Sequence, residues 1–228
     1  MRVEIFDNIT LYNADCRDVA AVYDSVVTDP PYGMAFRSNH RATKHAAIAN
    51  DGDVGMLQWT CSLPAVHSKY IFCRWDNLAD VPKPKSLVTW VKNNWSMGDL
   101  KHEHGRQTEV ALFYPGPDHY FPNGRPSDVV RAARTGNDEH ATQKPVELME
   151  QVLLWTHGVV FDPFMGSGST LVAAARLGKT GIGVELDSNY FDTACRRVEA
   201  GLKQTSMFRA KPANDNFETA DMFACQRN

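Results

Sequence analysis

Four consecutive residues, Asp29-Pro30-Pro31-Tyr32, concentrate more chemistry than any other stretch of the chain. A proline restricts the residue before it to extended conformations, so Pro31 fixes Pro30 and aims the Pro30 carbonyl in one direction. The Asp29 carboxylate and that carbonyl are then two hydrogen-bond acceptors beside the aromatic face of Tyr32. The trio suits a planar ring with an exocyclic amino group: one acceptor for each N–H, and a ring to stack on. A proline-stabilised surface turn, the commoner fate of Pro-Pro, would explain neither the Asp nor the Tyr.

A second candidate site is Asp162-Pro163-Phe164-Met165-Gly166-Ser167-Gly168. Two glycines at a strand-to-helix turn let backbone approach a ligand and present helix N-terminal amides to an anionic group. The dinucleotide pattern G-x-G-x-x-G fails because residue 171 is Leu, and a P-loop ending at Gly178-Lys179-Thr180 fails because residue 173 is Ala. Glu185 closes the next expected strand, where a carboxylate can accept both hydroxyls of a ribose. By itself, this turn fits a structural role as well as a binding one.

These residues need strand ends and helix starts to hold them. Period-2 patterns predict strands at Val3–Phe6 and Ile9–Asn13, and Ser25-Val26-Val27-Thr28 reads as a buried strand stopped by the prolines. Further strands are expected at 70–73, 87–91, 110–114, 159–161 and 180–185, and helices at 145–153, 169–177 and 188–203. The C-terminal half thus reads as a β-loop-α-β unit with a parallel sheet and right-handed crossover. Residues 37–68 and 93–140 read as irregular insertions in a single domain spanning 1–203, and 204–228 as a flexible tail.

Composition limits the partners. The 228 residues are 43% hydrophobic with net charge −3, which excludes disorder over the whole length. No apolar run reaches the roughly 20 residues of a spanning helix, and no membrane role is expected. Five scattered cysteines without a C-x-x-C pair read as reduced, semi-buried small hydrophobes. No metal site is expected, since His102 and His104 form a lone H-x-H among polar residues. Residues 37–134 hold 13 basic against 9 acidic side chains, whereas both ends are net acidic. A polyanion would therefore meet the middle of the chain.

Five blocks in order carry a family resemblance: T-D-P-P-Y-G at 28–33, T-W-V-K-N-N-W-S-M-G-D at 89–99, A-T-Q-K-P-V-E-L-M-E at 141–150, F-D-P-F-M-G-S-G-S-T at 161–170 and G-V-E-L-D at 183–187. The chain resembles the amino-group DNA methyltransferases of the β arrangement, in which the D-P-P-Y block precedes the F-x-G-x-G block. One block departs: 107–109 reads Gln-Thr-Glu where relatives commonly carry His-Glu. The resemblance implies an α/β, doubly wound, mostly parallel seven-stranded sheet, the S-adenosylmethionine-dependent methyltransferase fold, with an inserted DNA-recognition region.

It also implies roles. Asp29, Pro30, Pro31 and Tyr32 would be catalytic, gripping the amino group of a base flipped out of double-stranded DNA. S-adenosyl-L-methionine would be held by Asp162, Phe164, Gly166, Ser167, Gly168, Ser169, Thr170, Glu185 and Leu186, by Thr142, Gln143, Lys144 and Pro145, and by Asp15. For Thr142 and Lys144 a carboxylate is the expected partner; for Asp15, capping a short helix is an equal alternative. Arg37, His40, Arg41, Lys44 and His45 follow the catalytic block and would track phosphates, and Lys101, Arg106, Arg125, Arg131 and Arg134 are further candidates.

Adenine N6 is the expected target, because Asp at the first position of the block resembles adenine enzymes more often than cytosine N4 enzymes. A cytosine N4 enzyme and an inactive cofactor- or DNA-binding subunit are the alternatives. Methylation of protein glutamine or ribosomal RNA is disfavoured, because those proteins resemble the opposite motif order. A cytoplasmic protein of a prokaryote or phage is expected. A homodimer and a companion restriction endonuclease are compatible with the resemblance without being written in the sequence.

Overall fold

The computed structural model describes residues 1–33, 52–95, 101–102, 104–134 and 143–209, with backbone alone for 205–209. The chain opens with an antiparallel hairpin, β1 (Arg2–Phe6) and β2 (Ile9–Asn13), turned at Asp7, whose φ of 55° lies in the left-handed region that Asp tolerates. β3 (Ser25–Thr28) follows a short 3-10 turn at Cys16–Asp18. All four of its residues are buried, as a central strand covered on both faces requires, and the prolines end it by removing ladder donors.

Next come α1 (Gly55–Ser62), β4 (Ser68–Cys73), β5 (Ser86–Val91), β6 (Thr108–Pro115) and β7 (Val129–Arg131). The chain continues with α2 (Val146–Leu153), β8 (Val160–Asp162), α3 (Ser169–Leu177), β9 (Gly181–Glu185) and α4 (Ser188–Arg209).

The strands form one nine-stranded sheet in the order β1-β2-β9-β8-β3-β4-β6-β5-β7. Pairing is parallel across β2-β9, β9-β8, β8-β3, β3-β4 and β5-β7, and antiparallel for β1-β2, β4-β6 and β5-β6. The α/β, mostly parallel architecture agrees with expectation. Seven strands do not: the hairpin strand β1 and the short strand β7 extend the sheet at its two edges.

α2, α3 and α4 cover one face, where Leu148, Met149, Leu171, Phe191 and Val198 bury completely or nearly so against Ile9, Leu11, Val27 and Val160. α3 lies between the other two helices, and Ala173-Ala174-Ala175, all buried, allow that close approach. α1 packs on the opposite face through Met56, Leu57 and Cys61.

Three boundaries depart from expectation. α1 lies inside the stretch read as irregular between 37 and 68, because the face it buries, Met56, Leu57, Thr60 and Cys61, includes a polar residue and Val54 supplies no capping side chain. The stretch 93–140 contains, besides β6, which was expected as the strand at 110–114, the short strand β7, which was not. The last helix continues past the expected end at 203 to Arg209. No helix among the described residues is long and apolar enough to cross a membrane.

Candidate active site

The parallel strands β2, β9, β8, β3 and β4 all end at one edge of the sheet. From β3 the chain passes through α1 to β4 on one side, and from β8 through α3 to β9 on the other. A topological switch point therefore lies between β3 and β8, where departing connections leave a crevice. Asp29 follows β3 and Asp162 ends β8, so both stand at its mouth, and the Thr28 hydroxyl donates to Asp162 Oδ1 across it at 2.6 Å.

On the β8–β9 side the loop is shaped by glycines. Gly166 and Gly168 have φ values of 51° and 82°, and a Cβ on Gly168 would lie 2.9 Å from the Ala194 Cβ of α4, so a side chain there would be both strained and obstructed. Asp162 is buried and accepts from Thr28, from the Phe164 N–H at 3.1 Å and from the Thr170 side chain. Burial outweighs those bonds and pushes its carboxyl up to about 6.

Glu185 accepts the Gly166 N–H at 3.0 Å and the Asp187 N–H at 2.8 Å, and burial pushes it up to about 7. Leu186, half exposed beside it, offers an apolar surface. Ser167 is tied to α4 by Arg197, which donates to its carbonyl and, at 2.7 Å, to its hydroxyl; Ser169 Oγ lies 3.5 Å from the same guanidinium. Gln143 lies 3.5 Å from Ser167 Oγ, and Pro145 precedes the first turn of α2.

Asp15 stands where β2 ends, one residue after Ala14, whose N–H binds the Glu185 carbonyl. Its side chain caps the 3-10 turn and pairs with Arg17, whose hydrogen bonds lower it to about 2. The structure thus shows the capping role. Thr142 lies outside the described residues.

The β3 side is built differently. Asp29 Oδ1 accepts from the Tyr32 hydroxyl, and Oδ2 receives the Lys144 ammonium at 2.5 Å. Lys144 also reaches Glu109 Oε2 at 3.3 Å, and Glu109 Oε1 receives Lys92 at 2.6 Å. Both lysines are 7% exposed, Asp29 17% and Glu109 32%, so four alternating charges lie at the crevice wall, largely out of water. Burial pushes Asp29 up to about 6 against the pull of Lys144. Glu109 is drawn down to about 2, because Lys144 and Lys92 together outweigh its burial.

Lys144, expected at the cofactor's carboxylate, is held by Asp29 and Glu109. Glu109 and Lys92 were missed, although a signal existed: each is a charge at the end of an otherwise apolar strand, inside or beside a block quoted for the resemblance.

Among the basic residues, Arg37, His40, Arg41, Lys44 and His45 lie outside the described residues. Because β5 and β7 run the same way as β4, their ends bring Asn93, Trp95, Arg131 and Arg134 to the edge that carries Asp29, and the Arg134 N–H binds Asn93 Oδ1 at 3.1 Å. Lys101 and Arg106 precede β6, which starts at that edge. Arg125 is placed elsewhere. It falls between Asn123, bonded to the Leu154 carbonyl at the far end of α2, and Asp128, bonded to Thr89. The charge pattern gave no indication that the chain dips to the opposite edge there. Among the described residues no three His, Cys, Asp or Glu side chains are grouped to hold a metal ion.

A family model described as DNA methylase, for the N6/N4 group, matches residues 89–196. The Escherichia coli (strain K12) protein YubD is 30% identical over 211 residues, which span 82% of this chain and 88% of YubD. The chain belongs to the N6/N4 DNA methylase family. As a DNA methyltransferase of this family it is also similar to the type II methyltransferase M.HindIII of Haemophilus influenzae, 28% identical over 181 residues, 68% of this chain and 57% of that protein. Among solved structures, the M1.HpyAVI–SAM complex matches with a TM-score of 0.64 at 24% identity, over 83% of this chain and 99% of the other. The cytosine-N4-specific PvuII DNA methyltransferase matches with a TM-score of 0.60 at 13% identity, over 87% and 91%. At these identities the structures establish a shared fold, the DNA methyltransferase fold.

Proposed function

We propose that this methyltransferase moves a methyl group from S-adenosylmethionine to the N6 amino group of an adenine flipped out of double-stranded DNA, at a specific sequence. The observation that carries the reading is the adjacency, across one switch point, of the Asp29-Pro30-Pro31-Tyr32 acceptors and the glycine turn with its two strand-end carboxylates.

The β8–β9 side fits the cofactor. Glu185 at a strand end suits ribose hydroxyls, Leu186 an adenine face, and the 164–170 turn the amino-acid end. Carboxylates satisfied by amides and hydroxyls leave this pocket anionic, which favours a ligand carrying cationic groups. S-adenosylmethionine supplies, when bound, a methyl group on a sulfonium sulfur open to attack by a nitrogen lone pair.

The protein's own contribution lies at the nitrogen. An aromatic amino group is a poor nucleophile because its lone pair is delocalised into the ring. By accepting both N–H groups, Asp29 and the Pro30 carbonyl favour a tetrahedral nitrogen and stabilise the positive charge that grows on it. Asp29 need not remove a proton first, because the alkylated ammonium is acidic enough to lose one afterwards. Tyr32 now donates to Asp29, so stacking on the base requires it to release that oxygen to the incoming amino group. DNA would run along the edge that carries Arg131, Arg134, Lys101 and Arg106, with Arg37, Arg41 and Lys44 on its phosphates.

Expression in a host lacking DNA methylation, followed by mapping of methylated positions, tests the reading. N6-methyladenine within a recurring short sequence is the expected result. N4-methylcytosine alone would transfer the assignment to the other base of the family, and unmodified DNA would overturn it.

A further inference from the structure

The four charges beside β3 form a chain with a defined order. In the ligand-free protein both oxygens of Asp29 are engaged, Oδ1 by Tyr32 and Oδ2 by Lys144. Lys144 lies between two carboxylates and Glu109 between two ammonium groups. The four come from separate places: the end of β3, the start of β6, the residue after β5 and the segment before α2. Such an arrangement exceeds what holding the fold requires, since replacing buried ion pairs by apolar side chains is often neutral or stabilising.

We propose that Glu109 and Lys92 are positioning residues for Asp29, with Lys144 as the link: together they decide how firmly the ammonium holds the carboxylate that receives the amino group. An ammonium shared by two acceptors is divided between them according to their charge. With Glu109 neutral, Lys144 belongs to Asp29 alone. With Lys92 gone, Glu109 keeps its full charge for Lys144 and loosens the hold on Asp29. The two outer members therefore act on Asp29 with opposite sign. The chain is also internally neutral, which suits an uncharged base and lets Lys144 stay between Asp29 Oδ2 and Glu109 while Oδ1, released by Tyr32, takes an N–H.

Among the described residues, the other titratable groups near Asp29 are placed differently. Tyr32 is in its own loop, the Cys73 thiol ends β4, and Asp162 ends β8. None of the three forms a hydrogen bond or ion pair with Glu109 or Lys92, so changes at the two outer positions act on Asp29 through Lys144.

The kinetic side of this inference rests on the proposed role of Asp29 in methyl transfer; the electrostatic side does not. The test is a carboxyl carbon NMR titration of the full-length ligand-free protein, with the Asp29 signal assigned by its loss in Asp29→Asn. Relative to the parent, the Asp29 midpoint should fall in Glu109→Gln and rise in Lys92→Met, each by about half a pH unit or more. Glu109→Asp, which keeps the charge, should return it toward the parent value. Lys92→Gln replaces Lys92→Met if the latter does not fold. At saturating S-adenosylmethionine, the acid limb of kcat/KM for DNA should move in the same two directions. A purely structural pair would lower the melting temperature and leave the midpoint in place. A midpoint unmoved, or moved the same way in both variants, would overturn the proposal. If the midpoints split as expected while the parent transfers no methyl group, the charge chain stands and the functional reading fails.

Discussion

The two walls of the crevice hold their carboxylates by different means. On the β8–β9 wall, Asp162 and Glu185 are met by hydroxyls and backbone amides, most of them from their own loop or the residues just beyond. On the β3 wall, Asp29 and Glu109 are met by lysines that arrive from distant parts of the chain. On the first wall no cation offsets the carboxylates, and burial, with neighbouring carboxylates adding to it, pushes them up to about 6 and about 7. The second is neutral as a unit. A pocket that keeps net negative charge favours cationic groups, whereas a self-neutralised one lets an uncharged ring enter without leaving a bare charge behind. The division matches a cationic cofactor on one side and a nucleobase on the other.

The comparison can be broken by substitutions that ought to affect one wall and not the other. Asp29→Ala should reduce methyl transfer about 10²–10³-fold by removing one acceptor for the developing charge, while calorimetry finds S-adenosylmethionine binding unchanged. Comparable loss of both would mean that the walls are not separate. Lys144→Met leaves Asp29 and Glu109 without their shared cation. Denaturant unfolding should show a cost of about 3 kcal/mol, the low end for a broken buried pair because Glu109 keeps 32% exposure. An unchanged unfolding midpoint would show that water already screens the chain.

On the other wall, Glu185→Ala should weaken S-adenosylmethionine binding by about 1.5–3 kcal/mol without changing transfer at saturating cofactor. The pH dependence sharpens this. In the ligand-free protein Glu185 is protonated below about 7, and only the ionised form accepts two ribose hydroxyls without using a donor of its own. Binding therefore releases a proton, and affinity should strengthen as pH rises through that value, a dependence that Glu185→Gln should flatten. The smallest effect is expected outside both walls. Alanine at Arg37, Arg41 or Lys44 should weaken cognate and random duplexes alike and make the salt dependence of binding shallower by roughly one unit of slope. Unchanged slopes in all three would leave these side chains as ordinary solvated surface.

The same contrast governs what could be read from the sequence. The glycine turn, Asp162 and Glu185 are local features of one β-loop-α-β unit, so spacing within some 25 residues revealed them. β3 was equally plain, because a four-residue apolar strand cut off by two prolines has few other readings. The charge chain was not legible as a unit. Lys92 and Glu109 become neighbours only when β5 and β6 pair, and Lys144 joins them only when the segment before α2 crosses the strand ends. The residue type of Lys144 pointed to a carboxylate partner, and tertiary structure supplies two, Asp29 and Glu109. α1 escaped for a different reason: it is a short helix with no capping side chain, and the face it turns to the sheet, Met56, Leu57, Thr60 and Cys61, carries a polar residue.

The central claim, that the Asp29 wall delivers an amino nitrogen to a methyl donor held by the Glu185 wall, is tested most directly with purified protein, unmethylated duplex DNA and S-adenosylmethionine labelled in the methyl group. After digestion to nucleosides and separation by mass spectrometry, the account predicts label in N6-methyladenine with the parent protein and its near-complete loss with Asp29→Ala. Robust labelling by Asp29→Ala, or label in a nucleoside whose modified atom is not an exocyclic amino nitrogen, would contradict it.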